Sequence, residues 1–446
     1  MVRYGRSFVL FSVTMALGVF SEKSFPLDPA SIVRAPAGAA AGKSVRAWLE
    51  ATHDALKGLL PARSAHALLT ADLTDDRGRP VDVFERFELD PAGLGSLRTN
   101  WRGLAHTAQA SSTGREGQAA GDAWPGFEDI WVPGHDGLPL AGRFGATAGD
   151  SGIRNADAIV ILPGLLGDNR VMRTRDLAVG LRRWGFHVLA LELRGHGLTD
   201  QRTPQAAYTF SSLETLDLLA VSRWLRGQPH VRRTGLIGFC WGANHALCAA
   251  WYDGCRGQHS SVHPRLAAQL DPVPDDRHFE AGVMAFSPVL RFEDLLDKLD
   301  SERSRIREPA LAGLQVTIRE RMTRKGYPDP SGSLRNLIAC ELHRSRLANP
   351  EVERDAYRFV RMLPYRNQSD GDKLQSARVP VLIIHAANDP LAEAQAVADL
   401  FAKIHNPSVA GIVLSGGGHV GFAPFARDYY YSMIVSFFDT LRAAGE

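Results

Sequence analysis

From about residue 127 onward, short apolar runs alternate with stretches in which apolar residues recur at helical spacing. Most of these runs are continuous in Val, Ile and Leu, which is typical of parallel strands that are covered on both faces. Eight runs are predicted strands, at residues 127–132, 138–144, 158–162, 186–193, 234–239, 282–286, 379–385 and 410–414. Strands that alternate with helices in this way predict an α/β fold, with a mostly parallel, doubly wound sheet of eight strands.

Helical spacing fills most intervals between these runs and also marks one helix nearer the N-terminus. The predicted helices are residues 45–60, 172–184, 212–226, 243–252, 393–404 and 426–441. Residues 254–280 are polar and loop-like, whereas the long segment 289–378 is rich in charged, leucine-containing helical patterns. We interpret 289–378 as a helical cap that is inserted between the sixth and seventh strands.

The first 125 residues do not continue this alternation. Arg3 and Arg6 precede an apolar stretch at 8–20, which has the length of a signal-peptide core and is short for a membrane span. Residues 1–20 are therefore a predicted signal peptide or membrane tether, with a plain N-terminal helix as the alternative, so a cytoplasmic and an exported or membrane-associated location both stay open. Residues 21–125 form a predicted accessory region without a motif and with stretches of linker composition.

Composition excludes several classes of protein. The 51 Lys and Arg residues against 49 Asp and Glu give a net charge of +2, so no basic excess indicates a nucleic-acid partner. The 4 cysteines are too few for a disulfide scaffold. Neither paired metal-binding histidines nor a complete phosphate-binding loop is present in the sequence, so we expect no metal and no cofactor. Nothing in the sequence indicates an oligomeric state.

The strongest chemical signal is the pattern Gly238-x-Cys240-x-Gly242, which follows a predicted strand and opens a predicted helix. It is the G-x-S-x-G nucleophile turn with Cys in place of Ser. The glycines permit a tight, strained turn that lifts the central side chain above the carboxyl edge of the sheet. The N–H groups that begin the helix favour a thiolate. Cys240 is therefore the candidate nucleophile, and the alternative is a buried cysteine that packs as a small apolar residue.

Two further residues stand where a base and an acid are needed. His419 lies in a glycine-rich loop after the last strand, where an imidazole can be aimed by its neighbours and can carry a proton. Asp389 follows the seventh strand, after Cys240 and before His419 in the chain. A carboxylate there would hold the imidazole in one tautomer. It could also cap the helix that follows, and the two roles are compatible.

The loop at 163–169, after the third strand, supplies one side of a candidate oxyanion hole. Gly164 lets the backbone approach a substrate carbonyl, and the N–H groups of Leu165 and Trp241 are the predicted donors. His196 lies in a turn after the fourth strand and precedes Cys240 in the chain, so we do not expect it to be the base.

Over residues 126–446 the chain resembles the α/β-hydrolase superfamily, which implies the α/β-hydrolase fold and a catalytic domain with these bounds. The elements that carry the resemblance are Pro163-Gly164-Leu165-Leu166-Gly167, Arg194-Gly195-His196-Gly197, the Cys240 turn, Asn388-Asp389-Pro390 and Gly417-Gly418-His419-Val420-Gly421-Phe422. The last two, with Phe286-Ser287-Pro288, resemble the YheT-like branch, which is associated with carboxylesterase and lipid-ester hydrolysis. That branch has Ser in the turn, whereas a Cys turn is similar to those of dienelactone hydrolases and polyhydroxyalkanoate synthases.

A cysteine nucleophile shapes the expected reaction. A thiolate is a strong nucleophile, and its attack on an acyl substrate gives an acyl-thioester enzyme. Water resolves this intermediate in a hydrolase of a small-molecule carboxylic ester or thioester, which is the predicted function through Cys240, His419 and Asp389. Two alternatives stay open. One is an acyltransferase or polyester-synthase-like enzyme with the same triad, and the other is a non-catalytic binding protein on a hydrolase scaffold.

Overall fold

The computed structural model describes most of the chain, in ranges that leave gaps between them. These are residues 32–34, 44–62, 64–69, 74–89, 97–110, 124–149, 152–169, 171–267, 277–302, 304, 309–345, 347, 349–365 and 372–443. The predicted signal peptide or tether at 1–20 lies outside them. In the part of the chain that the structure describes, no helix combines the length and the apolar composition that crossing a membrane requires.

One large sheet organises the molecule. Its strands are β1 (His66–Leu68), β2 (Glu128–Pro133), β3 (Pro139–Gly145), β6 (Ala156–Leu162), β7 (His187–Leu191), β8 (Val231–Phe239), β9 (Gly282–Phe286), β10 (Val381–Ala386) and β11 (Val409–Leu414), while β4 (Ala148–Gly149) and β5 (Gly152–Ile153) form a separate ribbon. The order across the sheet is β1-β11-β10-β9-β8-β6-β7-β3-β2. The six strands from β11 to β7 in this order are parallel to one another, so the predicted α/β fold with a mostly parallel sheet is confirmed.

The helices cover both faces of this sheet. They are α1 (Val45–Leu56), α2 (Val83–Arg86), α3 (Leu97–Ala110), α4 (Met172–Arg183), α5 (Gly197–Arg202), α6 (Ser212–Arg226), α7 (Trp241–Cys255), α8 (Pro264–Ala267), α9 (Phe292–Asp300), α10 (Pro309–Lys325), α11 (Leu334–Arg344), α12 (Pro350–Val360), α13 (Gln395–Phe401) and α14 (Phe422–Ala443). Side chains alternate between two apolar cores along each central strand, because successive residues of a strand face opposite sides. The cores hold α6 and α7 on one face and α1, α4 and α14 on the other.

The sheet has nine strands, one more than the sequence predicted. The additional strand, β1, pairs antiparallel with β11, with His66 opposite Leu414 and Leu68 opposite Ile412. A strand of three residues is too short to display an alternating pattern, which explains why the apolar periodicity did not indicate it. The accessory region therefore contributes directly to the central sheet.

Helices α9 to α12 lie in the chain between β9 and β10, within the segment interpreted as a cap. They are joined to the rest of the molecule by Arg321 of α10, which is only 2% exposed. Its guanidinium donates to Glu341 of α11 at 2.8 Å and to the carbonyl oxygen of Gly195 at 2.6 Å. Since Gly195 follows β7, this contact ties the helical segment to the carboxyl edge of the sheet.

The strand order creates a crevice at that edge. From β6 the chain continues to β7 on one side and then to β8 on the other, so the loops after β6 and β8 leave the sheet in different directions. Ligands of α/β proteins bind at such switch points, beyond the carboxyl ends of the strands. The loop at 163–169 and Cys240 both lie here.

Candidate active site

Cys240 occupies a strained turn between β8 and α7. Its backbone has φ 55° and ψ −119°, a conformation that a residue with a Cβ atom adopts only at a cost in energy. The N–H of Cys240 donates to the carbonyl oxygen of Phe286 at 2.9 Å, which fixes the turn to the neighbouring strand. The side chain is partly exposed, as a nucleophile must be.

The two glycines that flank Cys240 are required by close backbone contacts. A Cβ atom on Gly238 would lie 2.2 Å from the carbonyl oxygen of Gly242, and one on Gly242 would lie 2.3 Å from that of Pro163. Real Cβ atoms do not approach oxygen so closely. The turn therefore needs glycine at both positions, as the sequence pattern indicated.

His419 and Asp389, which are 30 residues apart, form a hydrogen-bonded pair beside this turn. Nδ1 of His419 lies 2.8 Å from Oδ2 and 3.1 Å from Oδ1 of Asp389, and both side chains are buried. Because a carboxylate only accepts, Nδ1 carries the proton and Nε2 is left for the thiol. Oδ1 of Asp389 also accepts from the N–H groups of Leu391 and Ala392 at 2.8 and 2.9 Å. The carboxylate thus orients the imidazole and closes a turn, although it does not cap a helix, since α13 begins only at Gln395.

Burial and charge act against each other on the thiol and the imidazole. Burial raises the pKa of Cys240, but the nearby His419 and two backbone N–H groups together outweigh burial and lower that pKa below its usual value. Burial likewise lowers the pKa of His419, but the charges of Asp389 and of the Cys240 sulfur raise it to about 10. Among the described residues, Nε2 of His419 has no hydrogen-bond partner of standard geometry, so it acts on the sulfur mainly through charge. The two opposite shifts favour the form of the pair in which the sulfur is a thiolate and the ring an imidazolium.

The two predicted oxyanion-hole donors converge on the same sulfur. The backbone N–H groups of Leu165 and Trp241 are directed at Cys240, and each lowers the pKa of its thiol. Gly164 lies so close that a Cβ atom there would be 3.1 Å from Cys240 Cβ. The indole of Trp241 is buried and packs at 4.7 Å, edge to face, on Phe292 of α9. A carbonyl carbon beside the sulfur would therefore have its oxygen within reach of two N–H groups.

His196 supports the oxyanion-hole loop without approaching the nucleophile's acid and base partners. Its Nδ1 donates to the carbonyl oxygen of Arg194 at 2.9 Å, so Nε2 accepts the N–H of Leu166 at 3.1 Å. Burial lowers the pKa of His196 to about 4, which keeps the ring neutral. Because the His196 ring is neutral and in one tautomer, its Nε2 holds the N–H of Leu166, the residue after Leu165, in place.

The sequence indicated no role for three residues that lie near His419. Each supplies a side-chain oxygen to one of three consecutive N–H groups in the loop that carries His419. The pairs are Gly418 with Asn388 Oδ1 at 2.8 Å, His419 with Thr107 Oγ1 at 2.7 Å, and Val420 with Ser287 Oγ at 3.3 Å. Asn388 and Ser287 belong to the motifs in which the sequence resembles the YheT-like branch, so the sequence offered a signal for these two residues. It offered no signal for Thr107, which lies in the region without a motif.

Within the described ranges, one group of side chains has the composition of a metal site: His135, Asp136 and Asp217. Arg194 already lies among them. Its guanidinium donates to both oxygens of Asp217 at 2.6 and 2.7 Å and to Asp136 at 3.2 Å. The arginine pairs with both carboxylates, so the cluster is a partly buried ion-pair network.

Comparison with known proteins gives a family and a set of distant structural neighbours. Residues 159–429 match the model described as the alpha/beta hydrolase family. No curated protein sequence matches the chain. The Pyrococcus furiosus esterase Pf2001 is similar, with 16% identity, a TM-score of 0.44, and coverage of 70% of this chain and 91% of that chain. So is the alpha/beta hydrolase GrgF from Penicillium sp. sh18, with 17% identity, a TM-score of 0.44, and coverage of 71% and 99%. The Pyrococcus horikoshii acylaminoacyl peptidase matches with 14% identity, a TM-score of 0.43, and coverage of 70% and 41%.

Proposed function

The chain belongs to the alpha/beta hydrolase family, and we propose that it hydrolyses a carboxylic ester or thioester through an acyl-enzyme on Cys240. The observation that carries the proposal is the convergence on one sulfur atom of the His419 imidazole and of the N–H groups of Leu165 and Trp241. A cysteine that merely packed as a small apolar residue would not need a charged partner and two donors around its sulfur. The proposal includes two further points: the chain belongs to the YheT-like branch of the family, and its catalytic domain comprises residues 126–446.

The first half of the reaction forms the acyl-enzyme. The Cys240 thiolate attacks the substrate carbonyl carbon, and the carbonyl oxygen becomes an oxyanion that the Leu165 and Trp241 N–H groups stabilise. When the tetrahedral intermediate collapses, the C–O or C–S bond to the leaving group breaks. The leaving alkoxide or thiolate takes the proton from Nε2 of His419. The acyl group is then held as a thioester on Cys240.

The second half returns the enzyme to its initial state. Neutral His419 takes a proton from a water molecule, which attacks the thioester carbonyl carbon. Collapse of the second tetrahedral intermediate breaks the C–S bond to Cys240 and releases the carboxylic acid. Throughout, the Asp389 carboxylate holds the Nδ1 proton, so that Nε2 always faces the reacting atoms, and it stabilises the imidazolium.

The proposal is tested by the turnover of chromogenic acyl esters and acyl thioesters. Cys240→Ala should reduce turnover to the background rate, because no other group in the site can form the acyl-enzyme. Cys255→Ala is the matched control. Cys255 is also partly exposed, but burial raises its pKa to about 11, so it has little thiolate at neutral pH. Full turnover by Cys240→Ala would overturn the proposal.

Acyl transfer is the second candidate function, and the identity of the nucleophile favours it. A thioester is intercepted by thiols and amines more readily than an oxygen ester, so a Cys240 acyl-enzyme suits transfer as well as hydrolysis. Product analysis with and without an added alcohol, amine or thiol separates the two. Release of free acid in water alone indicates a hydrolase. An acyl-enzyme that persists until the acceptor is added indicates a transferase.

A further inference from the structure

We propose that Thr107 is a positioning residue for His419, and that helix α3 thereby completes the active site from outside residues 126–446. The inference rests on the proposed function, in which His419 is the base. It concerns a part of the chain that showed no motif in the sequence.

The Thr107 hydroxyl is fixed in a single orientation. Thr107 is 9% exposed, and its Oγ1 donates its hydrogen to the carbonyl oxygen of Gly103, one turn earlier in α3, at 2.7 Å. A hydroxyl has only one hydrogen, so its lone pairs face the other way and accept the N–H of His419 at 2.7 Å. The helix therefore determines where the peptide of the base lies.

The loop that carries His419 depends on such outside contacts. Gly417, Gly418 and Val420 all have positive φ, at 128°, 54° and 63°. Glycines give a loop wide conformational freedom, so its own sequence does not specify where the imidazole lies. Of the three side-chain oxygens that accept its consecutive N–H groups, those of Asn388 and Ser287 follow β10 and β9. The third, that of Thr107, comes from α3.

Helix α3 packs backbone to backbone against the loops of both the acid and the base. A Cβ atom on Gly103 would lie 2.1 Å from the carbonyl oxygen of Asn388, the residue before Asp389. A Cβ atom on Gly418 would lie 2.1 Å from the carbonyl oxygen of Gly103. Contacts of this kind leave the helix no room to slide, so the Thr107 hydroxyl is held at a fixed place relative to the Asp389–His419 pair.

The far end of the helix is tied to the neighbourhood of the nucleophile. Arg173 of α4 donates to the carbonyl oxygen of Ala110, the last residue of α3, at 3.2 Å. The same guanidinium lies over the ring of Phe239, 4.4 Å from its centroid. Phe239 directly precedes Cys240. Helix α3 thus spans the site, with contacts at the acid, at the base and beside the nucleophile.

The test compares Thr107→Val, which keeps the shape but removes the hydroxyl, with Thr107→Ser, which keeps the hydroxyl. Thr323→Val is the matched control, because Thr323 Oγ1 makes the same bond one turn back, to Arg319 at 2.9 Å, on an exposed face of α10. Two quantities are measured: kcat and KM for an acyl ester, and the pH dependence of Cys240 alkylation by iodoacetamide, followed at the Cys240 peptide by mass spectrometry.

We expect Thr107→Val to lower kcat by roughly tenfold or more with KM within about twofold, and to move the alkylation midpoint to higher pH. Thr107→Ser should restore both, and Thr323→Val should match the wild type. A folded Thr107→Val with wild-type kcat and an unchanged alkylation profile would overturn the inference.

If Thr107→Val does not fold, a second measurement, made on the wild-type protein, tests the inference. In the wild-type protein, the His419 amide should exchange with solvent deuterium far more slowly than amides of exposed loops, and exchange at the rate of an exposed loop would contradict the inference. Alkylation and amide exchange need no acyl substrate. A wild-type protein without acyl turnover would therefore refute the proposed function while leaving the Thr107 contact to be judged separately.

Discussion

The Cys240 sulfur is the reacting atom of the proposed chemistry, and its protonation state depends on its neighbours. Burial raises the pKa of the thiol, and His419 together with the N–H groups of Leu165 and Trp241 reverses this effect. At each of the other three cysteines burial is the largest effect and the pKa is raised, although the charge of Lys373 acts against burial at Cys248 and Cys255. Reactivity among the cysteines should therefore be selective.

This gives a prediction about pH. Alkylation of Cys240 should rise with pH through a midpoint below about 8.5, the ordinary thiol value, because the imidazolium favours the thiolate. Turnover should fall as pH rises past about 10, where His419 loses the proton that the leaving group needs. In His419→Ala, burial is opposed only by the N–H groups of Leu165 and Trp241, so the alkylation midpoint should move to higher pH. Both profiles can be measured with iodoacetamide and a chromogenic ester.

The control is the alkylation of Cys340 in the same digests, which is partly exposed and whose pKa burial raises. Its profile should not respond to His419→Ala. An alkylation midpoint of Cys240 that is unchanged by His419→Ala would show that the imidazole does not act on the sulfur.

Among the site residues, the sequence predicted those that stand in a recognisable local pattern. Cys240 stands in a five-residue pattern, and Asp389 and His419 each follow a strongly apolar strand, so their order along the chain could be compared with that of a triad. Thr107 could not be found in this way. Its role depends on a contact between residues 312 positions apart, which no local pattern encodes.

Among the structural elements, the turn between β8 and α7 is tightly specified by backbone contacts. A Cβ atom on Gly242 would meet the carbonyl oxygens of Pro163 and Leu162 at 2.3 and 2.7 Å. Gly313 in α10 is the opposite case, because nothing lies within 4 Å of an added Cβ atom. Replacing each of these two glycines by alanine therefore distinguishes the steric requirement of the turn from the general effect of glycine in a helix.

We expect Gly242→Ala to lower the free energy of unfolding by roughly 1–3 kcal/mol or more and to abolish turnover, because the backbone of the oxyanion-hole loop must shift. Gly313→Ala should raise that free energy by about 0.5–1 kcal/mol, since alanine is the better helix former, and leave turnover unchanged. Urea unfolding monitored by circular dichroism measures both. A Gly242→Ala protein with wild-type stability would contradict the packing described for the turn.

The sequence predicted elements well where periodicity was long. It placed the helix at 212–226 at the bounds that α6 has, and it predicted the eight longer strands of the sheet. It missed β1, which has three residues, and it gave the accessory region stretches of linker composition without indicating α3, which ends at Ala110. Apolar residues recur at helical spacing in α3, at Leu97, Trp101 and Leu104, but the helix is polar on average and contains Gly103, which weakens the prediction.

For the molecule as a whole, the described parts of the region before residue 126, which include β1, α1 and α3, pack on the same sheet as the rest. Strand β1 covers the edge of β11, and α1 buries Trp48, whose ring lies 5.4 Å from that of Phe437 in α14. Removal of this region would expose an unpaired strand edge and an apolar helix face together.

We therefore predict that a chain lacking residues 1–125 aggregates or fails to fold, and that a chain lacking only residues 1–20 keeps its turnover, since the proposed site uses none of them. Size-exclusion chromatography and the ester assay measure the outcomes. A monodisperse, active fragment that begins at residue 126 would show that the accessory region is dispensable, and it would contradict the role given to α3.

The central claim, that Cys240 carries the acyl group, is tested most directly by the mass of the intact protein after brief mixing with an acyl ester or acyl thioester. The account predicts a mass increase of one acyl group that maps to the Cys240 peptide, is absent from Cys240→Ala and disappears with time in water. Turnover without any mass increase on Cys240, or an acyl group found on another residue, would contradict it.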